Sequence, residues 1–361
     1  MKTFNIAVLP GDGIGKEIMP ITVELLKQVE SGTGGYRLCF YDLEAGADLY
    51  RRTGEAFPEE TFEAASRADA ILLGAMGLPQ IRYSDGREIA PQLDLRERLQ
   101  LYAGLRPIKA IPGIPRILAD PRAEALDLVI VRESTEGLFS YRNTGDEVDD
   151  RIARDTMVIT RPVCERLFDF SFQLARRRKA GGKPGIVTCV DKANVLSSFA
   201  FFRKIFDERS RRHADIKTAY SYIDAMALRM VASPWDLDVL VMENMFGDII
   251  SDLGAALIGG MGMAPSGDIG DSHAVFQPCH GSAPDIAGSG KANPTAMFLS
   301  AALMLRWLAE CHDVQDAARG ADTLQQSVEA AFRAGELIPF ELGGQAGTEA
   351  IYTAVRRQMD R

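Results

Sequence analysis

Two aspartates, Asp248 and Asp252, stand four residues apart in the stretch Glu243-Asn244-Met245-Phe246-Gly247-Asp248-Ile249-Ile250-Ser251-Asp252. The mostly apolar run before it, Leu237 to Met242, reads as a buried strand of the parallel type. The residues after it, Leu253 to Ile258, continue at helical spacing. On a helix the two carboxylates share one face, one turn apart. Like charges at that spacing repel, and a divalent cation turns the repulsion into attraction. Oxygen ligands point to Mg²⁺ or Mn²⁺ rather than zinc. The alternative is a pair of solvated acids on an exposed turn, the common fate of an Asp-x-x-x-Asp pair. Two features favour a cation: the apolar flanks, and a position just past a buried strand, where open α/β sheets place ligands.

Other residues carry chemistry at the ends of predicted elements. Arg96 and Arg106 bracket a partly apolar stretch, and Arg132 follows the largely apolar run Leu126–Val131. Arginines at such places suit bidentate carboxylate binding; surface salt bridging is the commoner fate of any single one. Lys192 lies just past the strand Gly185–Val190, where burial lowers a lysine's pKa and makes it a base. A snorkelling surface lysine is the alternative, favoured on position alone. Asp224, at a strand-to-helix switch in Tyr222-Ile223-Asp224-Ala225-Met226, is either an N-cap or a further metal ligand.

The elements that must position these residues alternate. Strand Phe4–Leu9 ends in Pro10-Gly11-Asp12-Gly13-Ile14-Gly15 and a helix to about Ser31. That glycine-rich turn is a phosphate cradle or merely a tight turn; its spacing is not the dinucleotide fingerprint. Strand Tyr36–Leu43, a helix near Pro58–Arg67 and strand Ala70–Met76 follow, then a polar loop from Gly77 to Pro91. Strand Met157–Thr160, a helix from Pro162 to about Lys179, and an amphipathic helix Ser197–Arg212 with Phe199, Phe201, Phe202 and Phe206 as core come next. The loop from Cys279 to Gly288 combines small residues with His280 and Asp285, which suits the adenosine end of a cofactor. Helix Asn293–Ala309 and a last helix to about Met359 complete the chain.

The composition excludes several classes. With 361 residues and 46% hydrophobic residues, two domains are expected. A net charge of −9 argues against nucleic acid. Five scattered cysteines with no Cys-x-x-Cys pair argue against disulfides or zinc and for a reducing, cytoplasmic location. No signal peptide or membrane-length apolar run is expected.

Taken together, these motifs resemble the isocitrate/isopropylmalate dehydrogenase family, metal-dependent β-decarboxylating dehydrogenases of (R)-2-hydroxy acids. The resemblance is carried by Leu9-Pro-Gly-Asp-Gly-Ile-Gly15, Leu95-Arg96, Leu105-Arg106-Pro107, Val131-Arg132-Glu133, Val190-Asp-Lys-Ala-Asn-Val195, Asp224-Ala225-Met226, Phe246–Asp252, His280–Gly288 and Gly347-Thr348-Glu349. It covers essentially the whole chain and is greatest to isopropylmalate dehydrogenases. It implies an α/β fold of two domains with a large mixed sheet, not a Rossmann fold: residues 1–101 with 259–361 for the cofactor, and 102–258 for substrate and dimerisation.

It also implies a homodimer with shared active sites, each borrowing Lys192 and Asp224 from the partner. Arg96, Arg106 and Arg132 would hold the carboxylates of a malate-type dicarboxylate, with Gln92, Leu93, Asn194 and Val195 beside them. Asp224, Asp248 and Asp252 would hold Mg²⁺ or Mn²⁺, with K⁺ as a further candidate ion. Lys192 would be the base. Gly13, Ile14, His280, Gly281, Ser282, Ala283, Asp285, Ile286 and Asn293 would contact NAD, which Asp285 favours over its phosphorylated form. The implied reaction is oxidative decarboxylation, with 3-isopropylmalate and leucine biosynthesis as the leading assignment.

The chain departs from the family at three places. Phe139 stands where relatives have a proton-donating tyrosine, with Tyr141 two residues on as a candidate replacement. Gln92 and Leu93 stand where isopropylmalate enzymes offer two leucines, which favours a smaller or more polar C3 substituent, as in D-malate or tartrate. Gln277 stands where glutamate is usual. A homologue that oxidises without efficient decarboxylation, and a non-catalytic dicarboxylate- or NAD-binding homologue, are the remaining alternatives.

Overall fold

The computed structural model describes residues 1–142 and 144–360. The chain opens with β1 (Lys2–Gly11), α1 (Gly15–Thr33), β2 (Tyr36–Asp42), α2 (Ala47–Thr53), α3 (Glu59–Ser66), β3 (Ala70–Ala75) and α4 (Pro91–Arg98). The middle comprises β4 (Ala103–Lys109), β5 (Asp127–Glu133), β6 (Asp146–Val148), β7 (Ile152–Arg154), α5 (Arg161–Ala180), β8 (Ile186–Asp191), α6 (Ser197–Ser210), β9 (Lys217–Tyr222), α7 (Ile223–Ala232), β10 (Val239–Met242) and α8 (Asn244–Leu257). The chain closes with β11 (Pro265–Ile269), β12 (Ala274–Pro278), α9 (Thr295–His312), α10 (Gln315–Phe332) and α11 (Thr348–Met359).

Ten strands form one sheet in the order β2-β1-β3-β12-β11-β4-β5-β10-β8-β9, and β6 pairs with β7 as a separate hairpin. One wing, β2-β1-β3-β12, is parallel and comes from the two ends of the sequence. The other, β5-β10-β8-β9, is parallel and comes from the middle. Antiparallel pairing of β12 with β11, β11 with β4 and β4 with β5 joins them. The expected α/β fold with a large mixed sheet is therefore present, neither a barrel nor a doubly wound Rossmann sheet. Every residue of β3 and β10 is buried, as their unbroken apolar runs require when helices cover both faces. Among the described residues no helix is long and apolar enough to cross a membrane.

The second wing is covered by α5 and α6, whose Phe168, Phe172, Phe202 and Phe206 pack ring against ring with centroids 4.7–5.3 Å apart. Phe199 is buried as expected, but Phe201 is only half-buried, its ring beside the Arg161 guanidinium. The strand expected at Met157–Thr160 is absent: only Val158 makes a bridge, to Gly137. The Glu136 carboxylate accepts from both the backbone N–H and the hydroxyl of Thr160, which tethers the segment before it can extend and leads directly into α5.

Candidate active site

Where the two wings meet, a cavity of about 270 Å³ opens beside the sheet. Arg106 on β4 and Arg132 on β5 reach it from adjacent antiparallel strands. Arg132 is paired with Gly104 and Arg106 with Ile130, so the two arginines share one face on a diagonal. Arg96 comes from α4, in the connection between β3 and β4. All three are buried, 5–8% exposed, and all three line the cavity.

Each guanidinium is held from behind. Arg96 Nε donates to Asp268 Oδ2 at 3.0 Å, and Arg106 Nη1 donates to Cys279 Sγ at 3.2 Å. Arg132 Nε donates to Asn244 Oδ1 at 2.9 Å, and its Nη1 donates to the Asp248 carboxylate. A guanidinium has five N–H groups, so most remain for a ligand; Arg106 Nε is buried without a partner among the described residues. Burial and the neighbouring Arg96 push the Arg132 pKa down to about 10. Burial opposes the charge on Arg106, but Cys279 and Asp268 outweigh it, and its pKa is raised. Three buried guanidinium groups that line one cavity with N–H groups left free are suited to receiving carboxylates. Phe139, not Tyr141, closes the cavity beside them, its ring centroid 5.3 Å from the Arg132 guanidinium carbon. Phe139–Tyr141 is a 3₁₀ turn rather than a strand, so a residue two positions on does not share the phenylalanine's direction. Tyr141 is exposed and does not line the cavity.

The acids arrive on α8. Glu243 caps this helix, accepting from the backbone N–H groups of Met245 and Phe246. Gly247 lets the helix approach β5 closely: a Cβ there would lie 2.6 Å from Arg132 side-chain carbons. Asp248 and Asp252 follow on the cavity side, as the four-residue spacing predicts. Burial and the charge on Asp248 raise the Asp252 pKa, the behaviour of two carboxylates that lack a cation between them. Their donor set fits Mg²⁺ or Mn²⁺. Among the described residues no group of three or more His, Cys, Asp or Glu side chains is placed to hold a metal ion, so within one chain the expected set Asp224, Asp248 and Asp252 is only two-thirds assembled.

Lys192 and Asp224 lie elsewhere. Buried Asp191, at the end of β8, accepts two hydrogen bonds from Arg203 at 2.7 Å and one from the Ala193 N–H, fixing the turn that carries Lys192. Lys192 Nζ then meets Asp224 Oδ1 at 2.6 Å. Asp224 is not an N-cap: that position is Tyr222, and Asp224 sits in the first turn of α7 with its carboxylate turned to the lysine. Neither residue lines the cavity. Asn194, Val195 and Leu196 beside them are exposed, as are Leu228 and Val231 one and two turns beyond Asp224, and Ile249 next to Asp248. The exposed apolar side chains Val195, Leu196, Leu228 and Val231 stand beside the charged pair.

The two candidate cofactor loops touch. Ile14 N–H donates to Ser282 O at 2.8 Å, and a Cβ on Gly13 would come within 2.0 Å of that same oxygen. Gly288 N–H donates to Glu17 at 3.0 Å. The turn at Gly11–Gly15 is therefore a packing device rather than a phosphate cradle: the N–H groups of Asp12, Ile14, Gly15, Lys16 and Glu17 are all engaged within the protein. Asp12, fully buried, accepts from the N–H groups of Ala47, Asp48 and Gly77, capping α2 from across the fold. The Ser282 hydroxyl donates to Gly77 O. The Asn293 amide donates to Glu341 and its oxygen caps α9 at Thr295. His280 lines the cavity with Gly281; its Nε2 has no partner among the described residues, and burial lowers its pKa, favouring the neutral ring. Ala283 and Ile286 are half-buried and Asp285 is exposed on the same loop.

Gln92 and Leu93, at the start of α4, line the cavity, and Gln92 Oε1 is buried with no hydrogen-bond partner among the described residues. Sequence reasoning missed Asp268, Cys279 and Asn244. No local signal marks Asp268, which stands among the turn-type residues Ser266, Gly267, Gly270 and Asp271.

The chain matches the family model described as isocitrate/isopropylmalate dehydrogenase over residues 5–355. It is 45% identical over 347 residues to a 3-isopropylmalate/3-methylmalate dehydrogenase of Methanocaldococcus jannaschii, covering 95% of each chain. It is 38% identical over 364 residues, the whole of both chains, to a 3-isopropylmalate dehydrogenase of Methanothermobacter thermautotrophicus. Its fold is similar to the crystal structure of isocitrate dehydrogenase from Methylococcus capsulatus, with a TM-score of 0.84 and 31% identity, covering 99% of this chain and 100% of that one.

Proposed function

Because the chain belongs to the isocitrate/isopropylmalate dehydrogenase family, and is thus an oxidoreductase acting on CH–OH groups, we propose that it oxidises and decarboxylates a 3-substituted (R)-malate with NAD⁺, 3-isopropylmalate being the leading substrate, as a step of leucine biosynthesis. The observation that carries this reading is the cavity in which three buried arginines face two acids one helical turn apart. Arg96, Arg106 and Arg132 bind and orient the two carboxylates through the N–H groups the protein leaves free. Asp248 and Asp252, with the partner subunit's Asp224, would hold Mg²⁺ or Mn²⁺. Such a cation, when bound, acidifies a 2-hydroxyl and stabilises the negative charge that develops as CO₂ leaves. The partner subunit's Lys192 takes the hydroxyl proton as hydride departs from C2. Exposed Asp285 would accept from ribose hydroxyls, and neutral His280 and Gly281 would contact NAD where their loop borders the cavity.

This reading makes the molecule a homodimer, because the chain separates Lys192 and Asp224 from its own cavity and surrounds them with exposed Val195, Leu196, Leu228 and Val231. It also divides the chain into residues 1–101 with 259–361 and residues 102–258, the two wings of the sheet. The test is NAD⁺ reduction with Mn²⁺ and K⁺ across 3-isopropylmalate, 3-methylmalate, D-malate, the tartrates and isocitrate. Preference for 3-isopropylmalate is the expected result, and no reduction with any of them overturns the assignment. A second reading rests on one atom. Gln92 Oε1, buried and unpaired in the cavity wall, accepts a hydrogen bond from a hydroxyl better than it packs against an alkyl branch, where the unmet group costs about 1–3 kcal/mol. Preference for D-malate or a tartrate in the same panel is the outcome that favours it.

A further inference from the structure

We propose that Asp268 is a positioning residue that sets the charge of the substrate cavity, with Gln277 as its matched hydrogen-bond donor, and so selects doubly over triply charged acids. The inference rests on the reading that the three arginines bind an acid's carboxylates. Asp268 stands in β11, fully buried, one layer behind the cavity wall. Its Oδ2 accepts from Arg96 Nε at 3.0 Å and from Gln277 Nε2 at 2.7 Å. Its Oδ1 has no hydrogen-bond partner among the described residues and faces Arg106 Nη2 at 3.8 Å.

The sheet builds this arrangement. Asp268 pairs with Val275 of β12 and Gly104 of β4, and Gln277 lies two residues beyond Val275, a same-face diagonal that a long side chain spans. Glycine at 104 leaves the carboxylate its place: a Cβ there would sit 3.3 Å from Asp268 Oδ1 and 2.6 Å from Ser134 Oγ.

Three consequences follow for binding. Three buried guanidinium groups repel one another, and a buried carboxylate between two of them offsets that repulsion. With Nε tied back, Arg96 presents its two Nη groups to the cavity, the edge suited to a bidentate carboxylate. Finally, Asp268, Asp248 and Asp252 balance the three arginine charges, so a doubly charged acid enters with a doubly charged cation as a neutral pair. A third carboxylate finds no cation left. Gln277 completes the device as a donor. A glutamate there would bring two carboxylates into contact at the 2.7 Å now spanned by the amide, whereas the amide bonds the aspartate and leaves it charged. That accounts for the departure of residue 277 from the glutamate expected of the family: the acid has moved to the neighbouring strand, and the amide faces it.

The experiment compares wild type, Asp268→Asn, Gln277→Glu and the double variant. Binding of D-malate and of isocitrate, as dianion and trianion probes, is measured by calorimetry with Mg²⁺ present, beside kcat/KM for each acid; thermal unfolding verifies that each variant folds. Asp268→Asn is expected to raise the isocitrate-to-malate binding ratio roughly tenfold, because one unit of charge is gained within a few ångströms of the ligand in a poorly screened site. Gln277→Glu alone is expected to lose affinity for both acids. The double variant restores the charge and reverses the hydrogen bond, the amide introduced at position 268 donating to the carboxylate introduced at position 277. It is expected to return the ratio to within about threefold of wild type, a coupling that independent sites do not show. An unchanged ratio in Asp268→Asn, or a double variant no better than its worse parent, overturns the proposal. Wild type that binds D-malate while the variants leave the ratio unmoved overturns the role of Asp268 alone; wild type that binds neither of these acids nor 3-isopropylmalate overturns the reading of the arginine cavity and this inference with it.

Discussion

Two charged clusters in this molecule have opposite designs. Arg96, Arg106, Arg132, Asp248 and Asp252 border a cavity at the centre of the sheet, the arginines buried and tied to acceptors on β11, α8 and the end of β12. Lys192 and Asp224 form an ion pair on the surface, 27% and 67% exposed. By energetics alone the second is an ordinary surface contact of little weight in stability. It differs from the many surface pairs of this chain in its neighbours: a buried, doubly bonded Asp191 holds the turn beneath it, and exposed apolar side chains flank it. The buried cluster can bind an acid but contains no lysine. The exposed cluster has a candidate base but no enclosure. On the proposed reading the two are halves of one site on different chains, each finished by the surface it lacks.

The most decisive way to break that comparison is subunit complementation. Lys192→Met removes the base and is expected to lower kcat by about 10²–10⁴. Asp248→Asn damages the other half and is expected to be as inactive. Co-expressing the two produces mixed dimers in which one site pairs an intact cavity with an intact lysine, so about a quarter of wild-type activity is expected to return for a symmetric dimer with random mixing. A mixture as inactive as its parents would place Lys192 in its own chain's chemistry or outside it.

Within the buried half, Phe139 offers a sharper, smaller test. Its ring lies over Arg132 and lines the cavity, where a phenol would reach a substrate and a phenyl ring cannot donate. Phe139→Tyr is expected to raise the steady-state rates of NADH formation and CO₂ release together, roughly tenfold, within the range of a single positioned proton donor. Tyr141→Phe is expected to change either rate less than about twofold, since Tyr141 points out of the 3₁₀ turn. A large loss in Tyr141→Phe would show that Tyr141 reaches the chemistry after all, from a direction one chain does not reveal.

Much of the buried half was legible from residue order. The α8 pair follows from four-residue spacing, and the α/β class and most elements follow from alternating apolar runs. What escaped were interactions between elements distant in sequence. Asp268 of β11 meets Arg96 of α4 from 172 positions away, a contact that no local pattern encodes. Asn244 was in view but had no role until the fold brought Arg132 to it. Local rules also misled where a side chain captured the backbone: Glu136 claims Thr160 and cancels a strand, and Asp12 turns a glycine-rich turn into a cap for a separate helix. Asp224 looked like a cap because it stands at a helix start; only its contact with Lys192 gives it another use.

The two clusters should also differ in what their charges do to the fold, and this is the finest test. Glu133, next to Arg132 at the end of β5, is buried, and burial pushes its carboxyl up to about 7 from the ordinary 4.5 although Thr135 and Glu136 donate to it. A raised acid works against stability as it ionises. Between pH 4.5 and about 7 the folded chain keeps a proton that the unfolded chain releases, so stability falls as pH rises through that window, by up to about 3 kcal/mol. Glu133→Gln is expected to remove that slope from denaturant-derived unfolding free energies, even if the lost acceptor lowers absolute stability. Asp224 is the opposite case: the Lys192 hydrogen bond holds its carboxyl below the usual range, so any stability it confers is present above the ordinary aspartate pKa and is lost only as pH falls through the lowered value. Because that pair is open to solvent, Asp224→Asn is expected to leave the slope between about pH 5 and 8 unchanged. A Glu133→Gln variant that keeps the wild-type slope would mean that the hydrogen bonds from Thr135 and Glu136 outweigh burial, and that the buried half holds its acids ionised at no cost to the fold.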